Sequence, residues 1–158
     1  MKNIILFAFI GSLLLTACSK SSQNLTTVPA GNAITVVPAS SVPSVVITSF
    51  NNSFSGATEV EWQHNSSNSF TSQFNMSGQR HEASFGDNGH QSSHSVICLT
   101  ASVPQAVLDA FRQRFPTDNV YEWKLTNAGE WKAHFMRGTV KWEATFSAAG
   151  VFVTVEHA

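Results

Sequence analysis

Charge is scarce in this chain. Only 12% of its 158 residues are charged, and the net charge is −1. No basic excess marks a surface for nucleic acid. Cysteine is nearly absent: Cys18 and Cys98 are the two, too few for a multi-bridge scaffold. No phosphate-cradling loop, Ser/His/Asp order or redox motif occurs. No apolar run reaches the ~20 residues of a membrane-spanning helix. No residue is therefore read as catalytic, and a non-enzymatic protein without a cofactor or metal is expected. On length alone the chain makes one domain.

The N-terminus carries an address. Lys2 is followed by the apolar stretch Ile4 to Leu15 and then by Leu15-Thr16-Ala17-Cys18. A short apolar core ending in small residues reads as a signal peptide over 1–17. The last four residues resemble a bacterial lipobox, which implies a lipidated Cys18 as the mature N-terminus and a membrane anchor of acyl chains. With Cys18 so used, Cys98 has no partner in its own mature chain. It lies in Val96-Ile97-Cys98-Leu99 and is expected to be a small buried apolar residue. Residues 18–40, with Pro29, Gly31 and Pro38, read as a flexible tether, although Val36-Val37 could add an edge strand. No Asp follows Cys18 directly. By the sorting rule of other bacteria this directs the protein to the outer membrane of the cell envelope, facing periplasm or cell surface.

Beyond the tether the chain repeats itself with a shift of 61 residues and no gap. Val42-Pro43 returns as Val103-Pro104. Val46, Phe50 and Phe54 return as Val107, Phe111 and Phe115. Glu61-Trp62 returns as Glu122-Trp123, Phe74 as Phe135, Glu82-Ala83 as Glu143-Ala144, Phe85 as Phe146 and Gly89 as Gly150. The domain spans 41–158, with repeat one at 41–97 and repeat two at 102–158. Val107, Leu108, Phe111 and Phe115 form one helical stripe. Ser102 is expected to cap that helix, with Pro104 in its first turn. In the second repeat Tyr121, Trp123 and Leu125 alternate with Glu122 and Lys124. Trp131, Ala133 and Phe135 alternate with Lys132 and His134. Trp142, Ala144 and Phe146 alternate with Lys141, Glu143 and Thr145. Period-two alternation between Gly-containing turns marks antiparallel strands with one dry face. The first repeat copies this pattern, with Val60 and Trp62 on its dry side and a weak last strand at 90–97. The expected fold is α+β: two helix-plus-four-strand units, joined edge to edge into one antiparallel sheet with both helices on one face.

Val103-Pro104, Phe111, Phe115, Glu122-Trp123, Lys141-Trp142-Glu143-Ala144-Thr145-Phe146 and Gly150 together resemble the PepSY-like, beta-lactamase-inhibitor-like domains of Bacteroidetes lipoproteins. The resemblance covers about 41 to 157. It implies a fold like that of beta-lactamase inhibitor protein, with a sheet that presents a polar face. It does not imply inhibition of a beta-lactamase.

Alternation assigns Glu122, Lys124, Lys132, His134, Lys141, Glu143 and Thr145 to the wet face of the second unit. It assigns Glu61, Gln63, Thr71, Gln73, Arg80, Glu82 and Ser84 to that of the first. With no helix left to cover them, these residues read either as a solvated face with cross-strand charge pairs or as a binding surface. Glu61, Glu82, Glu122 and Glu143, each beside Lys or Arg, read as structural rather than catalytic carboxylates. His90 and His94 could chelate a metal on a helix, but on a strand they stand about 13 Å apart. Trp62, Trp123, Trp131 and Trp142 share the parity of the core. The function expected is that of an envelope lipoprotein that binds or inhibits another envelope protein through the polar face. The alternative is a periplasmic module for a peptide, glycan or small ligand.

Overall fold

A computed structural model describes residues 35–65 and 68–158. The signal peptide, Cys18 and the tether as far as residue 34 lie outside the described residues. The expected tether ends early: Thr35–Val37 already forms strand β1, paired through Val36 to Gln63 and through Val37 to Trp62. Each helix is preceded by a single 3-10 turn, at Ala39–Ser41 and Thr100–Ser102.

Helix α1 runs over Ser44–Ser53 and α2 over Gln105–Arg114, the same 61-residue shift. Pro43 and Pro104 are the N-caps, at φ −54° and −56°, with no side-chain cap bond. The expected Ser102 cap is therefore absent: proline's fixed φ sets the helix entry, and the serine is used one turn earlier. The strands are β2 (Thr58–Asn65), β3 (Ser69–Met76), β4 (Gln79–Gly86), β5 (Gln91–Cys98), β6 (Val120–Thr126), β7 (Trp131–Arg137), β8 (Val140–Phe146) and β9 (Phe152–His157). They form one nine-stranded antiparallel sheet in chain order. The Ser-rich last strand of the first unit is fully formed. It is the seam, with Val96 opposite Leu125 and Cys98 opposite Trp123.

The repeat becomes two separate cores. In the first, Val46, Phe50 and Phe54 of α1 meet Trp62, Phe74, Ala83 and Phe85. In the second, Val107, Phe111 and Phe115 meet Trp123, Trp131, Phe135, Ala144 and Phe146. Phe50 meets Phe74 edge-on at 5.0 Å, and Phe111 meets Phe135 at 5.4 Å, the tilted geometry aromatic quadrupoles favour. Trp62, Trp123 and Trp131 are buried, as their parity requires. Trp142 is half-buried at the margin of the second core, with His157 packed edge-on against it.

Gly89 and Gly150 hold the turn before the last strand of each unit against the first turn of its helix. Both have positive φ, +81° and +79°. A Cβ at Gly89 would come within 2.9 Å of the Val45 carbonyl oxygen, and one at Gly150 would strike the Ala106 carbonyl.

Cys98 is buried, as expected. Ser72 is fully buried in the first unit, and its hydroxyl has no hydrogen-bond partner among the described residues. The second copy carries Ala133 there. A buried hydroxyl without a partner costs ~1–3 kcal/mol. Ser72→Ala is expected to leave the melting temperature unchanged or raise it, and a clear fall would show that the hydroxyl is satisfied in solution.

Candidate functional site

Both helices pack on one face of the sheet, so the other carries the alternating polar residues. Alternation predicted their side correctly but not their depth. Lys124, His134, Glu143 and Thr145 are only 4–8% exposed although no helix covers them. They cover one another. His134 stands opposite Glu122 on β6 and opposite Glu143 on β8, where neighbouring side chains touch and exclude water.

The result is a continuous ion chain across the sheet. Lys132 pairs with Glu143 Oε1, and Glu143 Oε2 lies 2.6 Å from His134 Nε2. His134 Nδ1 lies 3.2 Å from Glu122 Oε1, which also receives Lys124 Nζ at 3.2 Å. Lys124 then crosses β5 and donates to Glu82 Oε1 at 2.7 Å. Gln73 Nε2 closes the series on Glu82 Oε2 at 3.1 Å. Ser95, opposite Glu82 on β5, is small enough to leave this path open. Lys124 and Lys132 stand directly opposite each other. The like-charge contact is relieved because each ammonium turns to a different carboxylate. Both nitrogens of His134 thus face carboxylates.

Burial alone would raise the Glu122 and Glu143 carboxyls. Hydrogen bonds from His134, reinforced by Lys124 for Glu122 and by Lys132 for Glu143, outweigh it and hold both at about 2. Burial would lower Lys124, yet Glu82 and Glu122 keep it raised. Carboxyls held this low stay ionised and are unsuited to passing protons near neutral pH.

The first unit carries a neutral version of the same face. Its Gln63, Thr71 and Gln73 stand where the second unit has Lys124, Lys132 and His134. Gln63 donates to Glu61 at 2.9 Å, and Thr71 and Ser84 share a 3.0 Å hydroxyl bond. Glu61 is thus partnered by an amide rather than by the neighbouring cation expected from sequence. Arg80 Nη1 donates to the Glu59 carbonyl at 3.0 Å. Glu61, Arg80 and Lys141 are half-buried and take no part in the ion chain.

Sequence reasoning missed the exposed elements of this region. Register shifts lie between Thr58 and Glu61 on β2 and between Val120 and Glu122 on β6, the same place in each copy. The extra residue breaks the alternation. Val60 and Tyr121, expected on the dry face, are 39% and 48% exposed. The Tyr121 ring stands edge-on to His134, with centroids 6.1 Å apart. Burial, followed by the nearby Glu122 charge, pushes its phenol up to about 12. Both positions are apolar or aromatic, so nothing in their residue types announced a bulge.

His90 is exposed and His94 lies within strand β5. No cluster of three or more metal-ligating side chains occurs among the described residues. Open clefts of about 290 Å³ beside Gly56, Asn75 and Gly78 and about 380 Å³ beside Gln105, Arg112 and Asn119 lie at the helix-to-strand corners, away from the ion chain.

No protein-family model matches the chain, and no curated protein sequence matches it. Solved structures do. A DUF2874 family protein from Bacteroides uniformis is 18% identical, with a TM-score of 0.55 over 73% of this chain and 88% of its own. A BLIP-like protein from Bacteroides fragilis is 17% identical, with a TM-score of 0.54 over 73% and 86%. A protein from Bacteroides eggerthii, provisionally described as periplasmic, is 16% identical, with a TM-score of 0.55 over 73% and 88%. At these identities the likeness establishes the fold, a BLIP-like pair of helix-plus-four-strand units, and it agrees with the resemblance read from the sequence.

Proposed function

We propose that this protein is a non-enzymatic binding module of the cell envelope, anchored through a lipid on Cys18, that engages another envelope protein through the helix-free face of its sheet. One observation carries the reading. The charges of that face are already spent on one another, while Tyr121 stands half-exposed beside His134 among them. Rigid, half-exposed aromatic residues on a preorganised surface are what protein interfaces use as anchors. The description of the Bacteroides eggerthii relative as periplasmic supports the location, and the BLIP-like fold of the Bacteroides fragilis protein supports a role in binding.

The test uses the mature chain as bait in detergent-solubilised envelopes. A stoichiometric protein partner should be recovered and should be lost with Tyr121→Ala at an unchanged melting temperature. Lys141→Ala, outside the ion chain, should weaken it less. Recovery of no partner, or equal recovery by Tyr121→Ala, counts against the reading.

The anchor has its own test. A thioether-linked lipid requires the Cys18 sulfur. Labelling with a fatty-acid probe should mark the wild-type protein and not Cys18→Ser, and an unlabelled wild type would remove the anchor from the proposal.

A further inference from the structure

On the helix-covered face of the first unit, His81 and His94 lie edge to edge. His81 Nδ1 is 3.1 Å from His94 Nε2, and His81 Nε2 is 3.1 Å from the Met76 carbonyl oxygen. The ring planes differ by only 12° with centroids 5.3 Å apart, the separation of two nearly coplanar rings joined nitrogen to nitrogen. A carbonyl only accepts, so His81 Nε2 carries the proton. His81 Nδ1 must then accept, and His94 Nε2 must donate to it. The carbonyl thus fixes the His81 tautomer and makes His94 Nε2 the donor between the rings. Protonating His81 Nδ1 would put two N–H groups head to head.

The surroundings offer a second proton no compensation. Helix α1 contributes Phe54, with its ring 4.9 Å from His94, and β3 contributes Phe74, stacked on His81 at 5.4 Å. From the seam, the Asn127 amide bonds only the His94 backbone carbonyl. Among the described residues no carboxylate forms an ion pair with either ring, and no lysine or arginine bonds to one. Glu82, between them in sequence, points to the other face and holds Lys124. In the second unit Trp142 and Val155 stand at the equivalent places, and neither titrates.

We infer that the His81–His94 pair is an acid-sensitive latch, which releases β4, β5 and the end of α1 in mild acid while the second unit stays folded. Burial lowers both histidines, and for His94 the neighbouring ring adds to it. Each takes a proton less readily when folded than when unfolded, where its ordinary value is 6.5. The unfolded state therefore binds more protons, and the latch's contribution is whole above that value and is lost as pH falls beneath it. The second unit responds in the same direction but in a lower window. Its Glu122 and Glu143, lowered from 4.5 to about 2, keep their contribution above about 4.5 and lose it as pH falls from there towards 2.

Hydrogen exchange of the mature chain, read by mass spectrometry at about pH 7 and about pH 5 and corrected for intrinsic rates, tests this directly. Protection in 79–98 and around Phe54 should fall roughly tenfold or more, with 131–146 unchanged. Uniform loss, or none, overturns the latch. The double variant His81→Trp, His94→Val installs the second unit's residues and should abolish the response, and retention of the response in that variant overturns the assignment. Should the variant fail to fold, histidine ring resonances of the wild type decide. Rings that titrate near 6.5 without any change in exchange overturn the latch, and rings that titrate together with the opening support it.

Discussion

Gly150→Ala should destabilise the protein by about 3–5 kcal/mol, among the largest effects available to a single methyl group. Two costs coincide at this residue. Its φ of +79° is left-handed, which charges any L side chain ~1–2 kcal/mol. The new Cβ would also strike the carbonyl of Ala106. That carbonyl belongs to the first turn of α2 and moves only if the helix moves. Gly138→Ala separates the two costs. It shares a positive φ, +62°, but has open space around it, so it should cost only the ~1–2 kcal/mol of conformation. Urea denaturation of the pair reads the difference. Equal losses would mean that helix α2 yields and that the turn does not fix its position.

Lys124→Ala should cost about 3–5 kcal/mol, because removing one partner of a buried pair leaves the other charged and unmatched. Here two carboxylates are stranded. Glu82 loses its 2.7 Å partner, and Glu122 loses the lysine that it shares with Glu82. Lys124 is also the side chain that crosses the seam, so the loss should appear in both units. The combination Lys124→Met with Glu82→Gln keeps the volume and withdraws the stranded charge, and it should recover much of the loss. Additive losses in this double-mutant cycle would show that the two groups do not interact in solution.

Much of this fold was legible because each copy checks the other. The Val, Phe, Phe spacing of the helices, the parity of Trp62 and Trp123 and the edge-to-edge seam all follow from alternation and a constant shift, and the structure bears them out. Alternation reports which side of a strand a residue faces. It does not report what neighbouring strands do to its access to water. Lys124, His134 and Glu143 were therefore placed on the correct face but read as solvated. Their burial depends on register between strands up to 42 residues apart, as in Glu82 and Lys124. The bulges escaped notice for a different reason. Val60 and Tyr121 are plausible dry-face residues, so the chain carries no local contradiction to mark where the parity slips. His81 and His94 were each visible, but the bond between them requires the β4–β5 register to be known.

The order of the strands in space is their order in the chain. No strand waits for a distant partner: each can pair with the strand just before it, and the two helices are the long detours. Such local topology keeps the entropy of loop closure small and favours rapid folding. It also lets the sheet zip from one end as the polypeptide emerges, each new strand covering the exposed edge of the last. Apart from the short β1 edge, the growing molecule then shows one new raw edge at a time, and the final one is β9, six residues long and interrupted by its own bulge. A short, irregular last edge is a poor template for further pairing, so the mechanism that builds the sheet also ends it.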